Sequence, residues 1–239
     1  MVHIWQINLL QSEAVVQKLG QTLAEDEVQR ARRFRFEQDR RRFVVGRGQL
    51  RSILSHYTGS TPSSVQFTYG PKGKPFLAGM SVNSRCTRSI KHSAGKGIGY
   101  FSACLERNSV RALQFNMSHS HELALCAVAT RREVGIDLEY LRPLPEAEQL
   151  AKRFFSRAEH ALIQALPVEE QAHVFFRLWT AKEAYLKATG KGLSHPLDQV
   201  EIIRTEDAWA LSEALSGWFM QSFTLTTNYL AALVVENLE

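Results

Sequence analysis

Gly135-Ile136-Asp137-Leu138-Glu139 and Trp179-Thr180-Ala181-Lys182-Glu183-Ala184-Tyr185-Leu186-Lys187 are the two segments that decide how this chain reads. The first has the composition of a strand. Strand side chains alternate between faces, so Asp137 and Glu139 point the same way. The second has the spacing of a helix, where residues four apart share a face, so Glu183 stacks with Lys187. Three carboxylates and one ammonium on two rigid elements are the parts needed to hold a hard divalent cation and a phosphate ester. The bland alternatives are a solvated strand face and an everyday surface ion pair. Against them, Val134, Ile136 and Leu138 give the strand an apolar opposite face. Trp179, Tyr185 and Leu186 place the helix partly in a core, where a Glu or Lys must be paired or coordinated.

Working outward, residues 2–9 alternate as an opening strand and residues 12–23 form a helix. Thr22 with Glu25 matches a capping box for a helix running on through Val28, Ala31 and Phe34. Phe43, Leu50, Leu54 and Tyr57 recur at helical spacing until Gly59 supplies a stop. Residues 65–69 read as a strand closed by the turn Gly70-Pro71-Lys72-Gly73-Lys74-Pro75. Residues 78–111, rich in Ser, Gly, Arg and Lys, show no sustained period and read as a loop, long for a compact domain. Residues 113–116 enter a polar turn at 117–121, followed by strands at 123–129 and 134–140. A helix at 147–155 precedes a second capping box, Ser156 with Glu159. The longest helical pattern spans 168–189 and ends at Gly190, and strands at 199–203, 218–226 and 229–235 close the chain. This order gives an α+β fold of two similar halves, residues 1–120 and 121–239, each a small sheet packed with helices.

With 239 residues, 44% of them hydrophobic, the chain can fill one large core or two small ones. No apolar run approaches the roughly 20 residues a membrane helix needs, and the first residues lack the pattern of a secretory signal. The three cysteines, Cys86, Cys104 and Cys126, argue by their odd count against a disulfide framework or a zinc site, so a reducing cytoplasm is the expected compartment. Net charge is +5, and the basic residues gather at Arg30, Arg32, Arg33, Arg35, Arg40, Arg41, Arg42, Arg47 and Arg51. That segment reads either as a solvated helical face or as a footprint for a polyanion: nucleic acid, a nucleotide cofactor or an acidic protein.

Taken together and in order, Gly73-Lys74-Pro75, Asn116-Met117-Ser118-His119-Ser120 and the two opening segments resemble the 4′-phosphopantetheinyl transferases of the Sfp type. Lys152-Arg153-Phe154-Phe155-Ser156, Gly190-Lys191-Gly192-Leu193 with Pro196-Leu197, and the basic segment 30–51 are similar to that family as well, leaving 78–111 as an unusual insertion. The resemblance implies a pseudo-twofold pair of α+β halves with mostly antiparallel sheets and coenzyme A in the cleft between them. It implies transfer of the 4′-phosphopantetheine group of coenzyme A to a serine of an acyl or peptidyl carrier protein, with adenosine 3′,5′-bisphosphate as the other product. Carrier proteins of fatty-acid, polyketide or nonribosomal peptide synthesis are the implied partners of a cytoplasmic monomer, with no role for nucleic acid or membrane.

Position by position, the resemblance makes Asp137, Glu139 and Glu183 ligands of Mg²⁺ and Glu183 the base for the carrier serine. Lys187 would contact the diphosphate and the departing phosphate oxygen, with Lys182 beside it in the coenzyme-binding set. Ser118 and His119 would meet coenzyme A phosphates, Lys74 would line the nucleotide site, and Arg30 would bind the 3′-phosphate. Because Glu27 stands where some members carry a further basic residue, Arg42 and His119 would share that phosphate with Arg30. Two readings outside the resemblance are a basic nucleic-acid-binding module and a Mg²⁺-dependent phosphohydrolase.

Overall fold

Each half is built the same way: an edge strand, then helices, then a hairpin whose second strand lands in the middle of the sheet. This computed structural model describes residues 1–78, 113–192, 194–205 and 208–237. The expected insertion at 78–111 therefore lies outside the described residues except for Ala78. In the N-terminal half β1 (Val2–Asn8) is followed by α1 (Glu13–Gly20), α2 (Glu25–Arg32) and α3 (Glu37–Thr58). A small hairpin, β2 (Phe67–Tyr69) with β3 (Pro75–Leu77), precedes β4 (Leu113–Ser120) and β5 (Leu123–Thr130). The sheet order is β1-β5-β4, antiparallel throughout.

The C-terminal half repeats the scheme. Edge strand β6 (Val134–Tyr140) leads into α4 (Ala147–Phe154), α5 (Arg157–Gln164) and α6 (Val168–Thr189). A minor hairpin, β7 (Ile202–Arg204) with β8 (Trp209–Leu211), precedes β9 (Trp218–Thr226) and β10 (Tyr229–Glu236). The sheet order is β6-β10-β9, again antiparallel. Both α3 and α6 have 22 residues, and both end on a left-handed glycine, Gly59 at φ 69° and Gly190 at φ 68°. A side chain at such a φ is strained, so glycine is what stops each helix cleanly. By hydrogen bonding, β5 belongs with β1 and β4, so the sheets change between Thr130 and Val134 rather than at residue 120.

Central strands β5 and β10 bury both faces, which is why Leu123-Ala124-Leu125-Cys126-Ala127-Val128-Ala129 and Tyr229-Leu230-Ala231-Ala232-Leu233-Val234-Val235 are unbroken apolar runs. One face of β5 (Ala124, Cys126, Val128) packs with Val44, Val45, Leu50, Ile53 and Leu54 of α3. One face of β10 (Leu230, Ala232, Val234) packs with Phe175, Leu178, Ala181 and Tyr185 of α6. Their other faces meet each other: Leu125, Ala127 and Ala129 of β5 join Val134, Ile136 and Leu138 of β6 and Ala231, Leu233 and Val235 of β10. Each large apolar side chain buried there contributes roughly 1.5–3 kcal/mol, against about 1 kcal/mol net for a hydrogen bond. The apolar layer therefore holds the halves together, and polar contacts across it set register.

Several local expectations change on inspection. Thr22 does not open α2; its hydroxyl donates to the Leu19 carbonyl at 2.7 Å and closes α1 instead. Helix α2 starts one residue after Ala24, whose N–H donates to Glu27 at 2.9 Å. At α5 the reciprocal capping box is present: Glu159 N–H donates to Ser156 Oγ at 3.3 Å, and Ser156 N–H donates to Glu159 at 2.8 Å. The polar segment 117–120 is no turn but the second half of β4, and the reversal falls at His121, φ 50°. The strand expected at 199–203 shortens to Ile202–Arg204 behind a 3₁₀ turn at Leu197–Gln199. Among the described residues no helix is long and apolar enough to cross a membrane.

The arginine-rich stretch is largely neutralised from within. Arg40 pairs with Glu37 at 2.6 Å, Arg41 with Glu13, and Arg42 with Asp39 at 3.7 Å. Glu27 is buried and takes both Arg47 and, at 2.6 Å, Arg51. Burial would raise the Glu27 carboxyl, but the Arg51 hydrogen bond, the Ala24 N–H and Arg47 outweigh it and hold the group below its ordinary value. Arg51 also donates to the Pro62 and Val65 carbonyls at 3.0 and 2.8 Å, tying the loop after α3 to its own helix. Arg47 and Arg51 thus serve the fold, whereas Arg40, Arg41 and Arg42 pair nearer the surface, where such contacts contribute little.

Helix α6 lies directly on β6 at Gly135. A Cβ there would sit 2.0 Å from the Ala184 carbonyl oxygen and 2.3 Å from the Ala188 nitrogen, both backbone atoms that cannot swing aside. Gly135→Ala should therefore cost about 3 kcal/mol or more in denaturant unfolding. Gly217→Ala, where an added Cβ meets nothing within 4 Å, should stay within about 0.5 kcal/mol.

Candidate active site

The backbone contact at Gly135 decides which residues face each other. Period two carries Asp137 and Glu139 onto the same side of β6 as Gly135, toward α6. On α6, Ala184 and Ala188 mark the turns that touch the strand, and their neighbours Glu183 and Lys187 flank them one turn apart. Lys187 Nζ donates to Asp137 Oδ1 at 2.6 Å and to Ser118 Oγ at 2.9 Å. Ser118, from β4 of the other half, donates its hydroxyl to the same Asp137 oxygen at 2.7 Å.

Two oxygens in this group are buried without a hydrogen-bond partner, Asp137 Oδ2 and Glu183 Oε1. An unpartnered buried carboxylate oxygen is costly unless something else satisfies it. The charge pattern says the same. Burial, and then the negative charge of Asp137, push Glu183 up to about 7 from an ordinary 4.5. Burial and Asp137 also raise Glu139. Three acids are thus close enough to repel one another, with a single ammonium among them. Among the described residues no three Asp, Glu, His or Cys side chains stand as a closed ligand cluster. A small oxygen-seeking cation does not require one, since one or two carboxylates plus waters and phosphate oxygens complete its shell. Asp137 Oδ2 and Glu183 Oε1 fit that role, and Glu139 adds charge beside them.

The matching sequence profiles are those of the 4′-phosphopantetheinyl transferase superfamily, over residues 133–234, and of the 4′-phosphopantetheinyl transferase N-terminal region, over residues 10–96. The 4′-phosphopantetheinyl transferase HetI of Nostoc sp. is 43% identical over 234 residues, covering 98% of this chain and 87% of that protein. The 4′-phosphopantetheinyl transferase Sfp of Bacillus subtilis is 27% identical over 208 residues, covering 86% of this chain and 78% of that protein. This chain belongs to the 4′-phosphopantetheinyl transferase family.

Against what that membership led us to expect, the structure sorts the transferase's residues into two groups. Asp137, Glu139, Glu183, Lys187 and Ser118 converge as described. His119 stands next to them on the α3 side of β4, exposed at the surface. Partial loss of surrounding water, and then the cations of Lys187 and Arg42, draw its ring below the usual imidazole value. That places Arg42 at the same rim, and its buried Nε has no partner. Arg30 is exposed, its guanidinium 5.3 Å from the Phe43 ring centre. A cleft of about 350 Å³ between Leu9, Leu10, Gln11, Gln38, Arg41 and Arg42 shares Arg42 with this rim.

Lys182 does not join the site. Its ammonium is fully buried, donates to the Leu197 carbonyl at 2.9 Å and to that of Val200, and pairs with Glu159 at 2.8 Å. Burial lowers the Lys182 pKa while Glu159 supports the charge. The sequence carried a signal for this. The residues four before and four after Lys182 are Leu178 and Leu186, both core, whereas Glu183 and Lys187 share a different face. Lys74 is also committed: it donates to Glu133 at 2.7 Å and to the Ala188 carbonyl at 2.8 Å, pinning the β2–β3 hairpin to the end of α6. Glu133 was missed by sequence reasoning, as were Asn116 and Ser120 as seam residues. The alternation of Asn116, Ser118 and Ser120, opposite that of Asp137 and Glu139, was the legible clue.

Two expectations follow. Lys182→Met leaves Glu159 buried without its partner and should cost about 3–5 kcal/mol in unfolding, with the KM for coenzyme A unchanged. Glu183 is protonated more readily folded than unfolded, so its contribution to stability is complete below about pH 4.5 and is lost as pH rises through about 7. The melting temperature of metal-free protein should fall between pH 5 and pH 8, and a divalent cation should raise it more at pH 8 than at pH 6. An equal cation effect at both pH values would contradict the assignment of Glu183 to the cation.

Proposed function

We propose that this transferase moves the 4′-phosphopantetheine arm of coenzyme A onto a serine hydroxyl of an acyl or peptidyl carrier protein, releasing adenosine 3′,5′-bisphosphate. The observation that carries the reading is the meeting of Asp137, Glu183 and Lys187, with two buried carboxylate oxygens awaiting a partner, in a member of this family. Mg²⁺ held at those oxygens, with Glu139 beside it, would neutralise charge as the phosphoanhydride breaks.

The chain's own groups supply the rest. The serine oxygen forms a bond to the phosphorus bearing the pantetheine arm, and the bond from that phosphorus to the bridging diphosphate oxygen breaks. A serine hydroxyl is a poor nucleophile until its proton has somewhere to go. Glu183, buried beside Asp137 with Oε1 unpartnered, is the carboxylate placed to accept it, directly or through one water. Lys187 is held by Asp137 and Ser118 with its ammonium toward the acidic group, where it meets the diphosphate and the departing oxygen. Arg42 and Arg30 would meet the 3′-phosphate through charge-assisted contacts about twice as strong as neutral ones, and His119, its ring held below the usual imidazole value, would add a neutral N–H donor.

Fatty-acid, polyketide and nonribosomal peptide carriers are the candidate acceptors, in the cytoplasm. Both walls of the site come from one chain, which supports a monomer. The pairing of Arg40, Arg41, Arg47 and Arg51 within the chain weakens the nucleic-acid alternative. Incubating an apo carrier protein with coenzyme A and Mg²⁺ should add one phosphopantetheine by intact mass. Asp137→Asn and Glu183→Gln should each slow that gain by about 10²–10⁴-fold. An unmodified panel of acyl and peptidyl carriers would overturn the reading, and phosphate release without any carrier would favour a hydrolase.

A further inference from the structure

The acidic side of β6 is completed from the other half of the molecule. β4 and β6 are the edge strands of separate sheets, yet they lie side by side. No backbone ladder joins them; side chains of β4 do so instead. Asn116 Oδ1 accepts from Ile136 N–H at 3.0 Å. Ser118 donates to Asp137 at 2.7 Å, and Ser120 donates to Glu139 Oε2 at 3.1 Å. Tyr140 N–H donates to Ser120 Oγ at 3.1 Å. Two hydroxyls two residues apart on one strand thus meet two carboxylates two residues apart on the other, in the same register.

Each hydroxyl is oriented as well as placed. A serine has one hydrogen to donate and lone pairs to accept with. Tyr140 N–H occupies the acceptor side of Ser120, and Lys187 occupies that of Ser118. The single hydrogen of each is directed to its carboxylate. Ser118 and Lys187 both engage Oδ1 of Asp137, which leaves Oδ2 as the unpartnered oxygen. Ser120 engages Oε2 of Glu139 and not Oε1. Glu139 needs such a tether more than Asp137 does, because its side chain is longer, partly exposed and repelled by Asp137.

We propose that Ser120 is a positioning residue that holds the Glu139 carboxylate from across the seam, so that the cation site exists only when both halves are in register. This rests on the cation reading above and adds to it a residue that touches neither substrate nor cation. Partners that orient ligating carboxylates typically contribute about 10–100-fold to metal affinity.

The test is Mn²⁺ binding, read by electron paramagnetic resonance of free ion, on the full chain alone and with saturating coenzyme A but no carrier protein. Ser120→Ala should weaken Mn²⁺ binding by about 10-fold, with the KM for coenzyme A at saturating cation within twofold of the parent protein. Ser120→Thr, which keeps the hydroxyl, should restore binding. Asn116→Ala is the control for simple loosening of the seam, since Asn116 accepts from the Ile136 backbone N–H across it rather than engaging a carboxylate-bearing side chain. It should lower the melting temperature while leaving Mn²⁺ affinity within twofold. Unchanged Mn²⁺ affinity in Ser120→Ala, or equal weakening in Asn116→Ala, would overturn the proposal while leaving the cation reading intact. A parent protein that binds no Mn²⁺ in either condition would overturn both.

Discussion

The contact on which this molecule depends is backbone against backbone, where α6 rests on β6 at Gly135. A helix cannot approach a strand this closely with a side chain in between. Once the approach is made, much else is fixed. The strand's alternation puts two carboxylates toward the helix, the helical repeat puts Glu183 and Lys187 alongside them, and separations are set by rigid elements rather than loops. A glycine that would weaken an ordinary strand is here the condition for the site.

The second constraint is the seam between the halves, where forces divide their work. The apolar layer of β5, β6 and β10 supplies adhesion, which has no preferred direction. The side-chain ladder from β4 to β6 supplies direction, since a one-residue slip would turn Asn116, Ser118 and Ser120 away from their partners. Lys74 adds a third tie, from the β2–β3 hairpin to Glu133 and the end of α6. A site assembled this way has one wall from each half. That explains why a chain with two separate cores folds around a single chemical centre.

Legibility in the sequence followed the strength of local signals. Helix α6 was read at its observed bounds, 168–189, because Pro167 and Gly190 punctuate a long apolar period. The facing of Asp137 and Glu139 followed from period two alone. Segment 117–120 was misread as a turn because its polar residues suggest water, whereas half of them face a neighbouring strand. Thr22 and Glu25 had capping-box spacing, yet the helix starts later and Glu27 caps it from within. Glu27 stood out as an acid among bases, and its reason lies in a buried pairing with Arg47 and Arg51 that only tertiary structure brings together. Lys182 was grouped with the site because it adjoins Glu183 in the motif, although neighbours on a helix point about 100° apart.

The electrostatics of the site argue for what completes it. A protein at equilibrium with water alone gains nothing from holding Asp137, Glu139 and Glu183 together, and two of them are raised, by burial first and then by that proximity. Hydrophobic packing around α6 imposes the arrangement, so the unfavourable charge is stored before any ligand arrives. A ligand that relieves it must bring positive charge to the carboxylates. To use Lys187, Arg42 and His119 it must also bring negative charge to the rim. Neither a lone cation nor a lone anion does both; a diphosphate ester carrying a divalent cation does. The same consideration explains why the fold tolerates repulsion here while pairing Arg47 and Arg51 of α3 with the buried Glu27. Those pairs hold the fold, whereas beside Lys187 two carboxylate oxygens, Asp137 Oδ2 and Glu183 Oε1, are left without a partner.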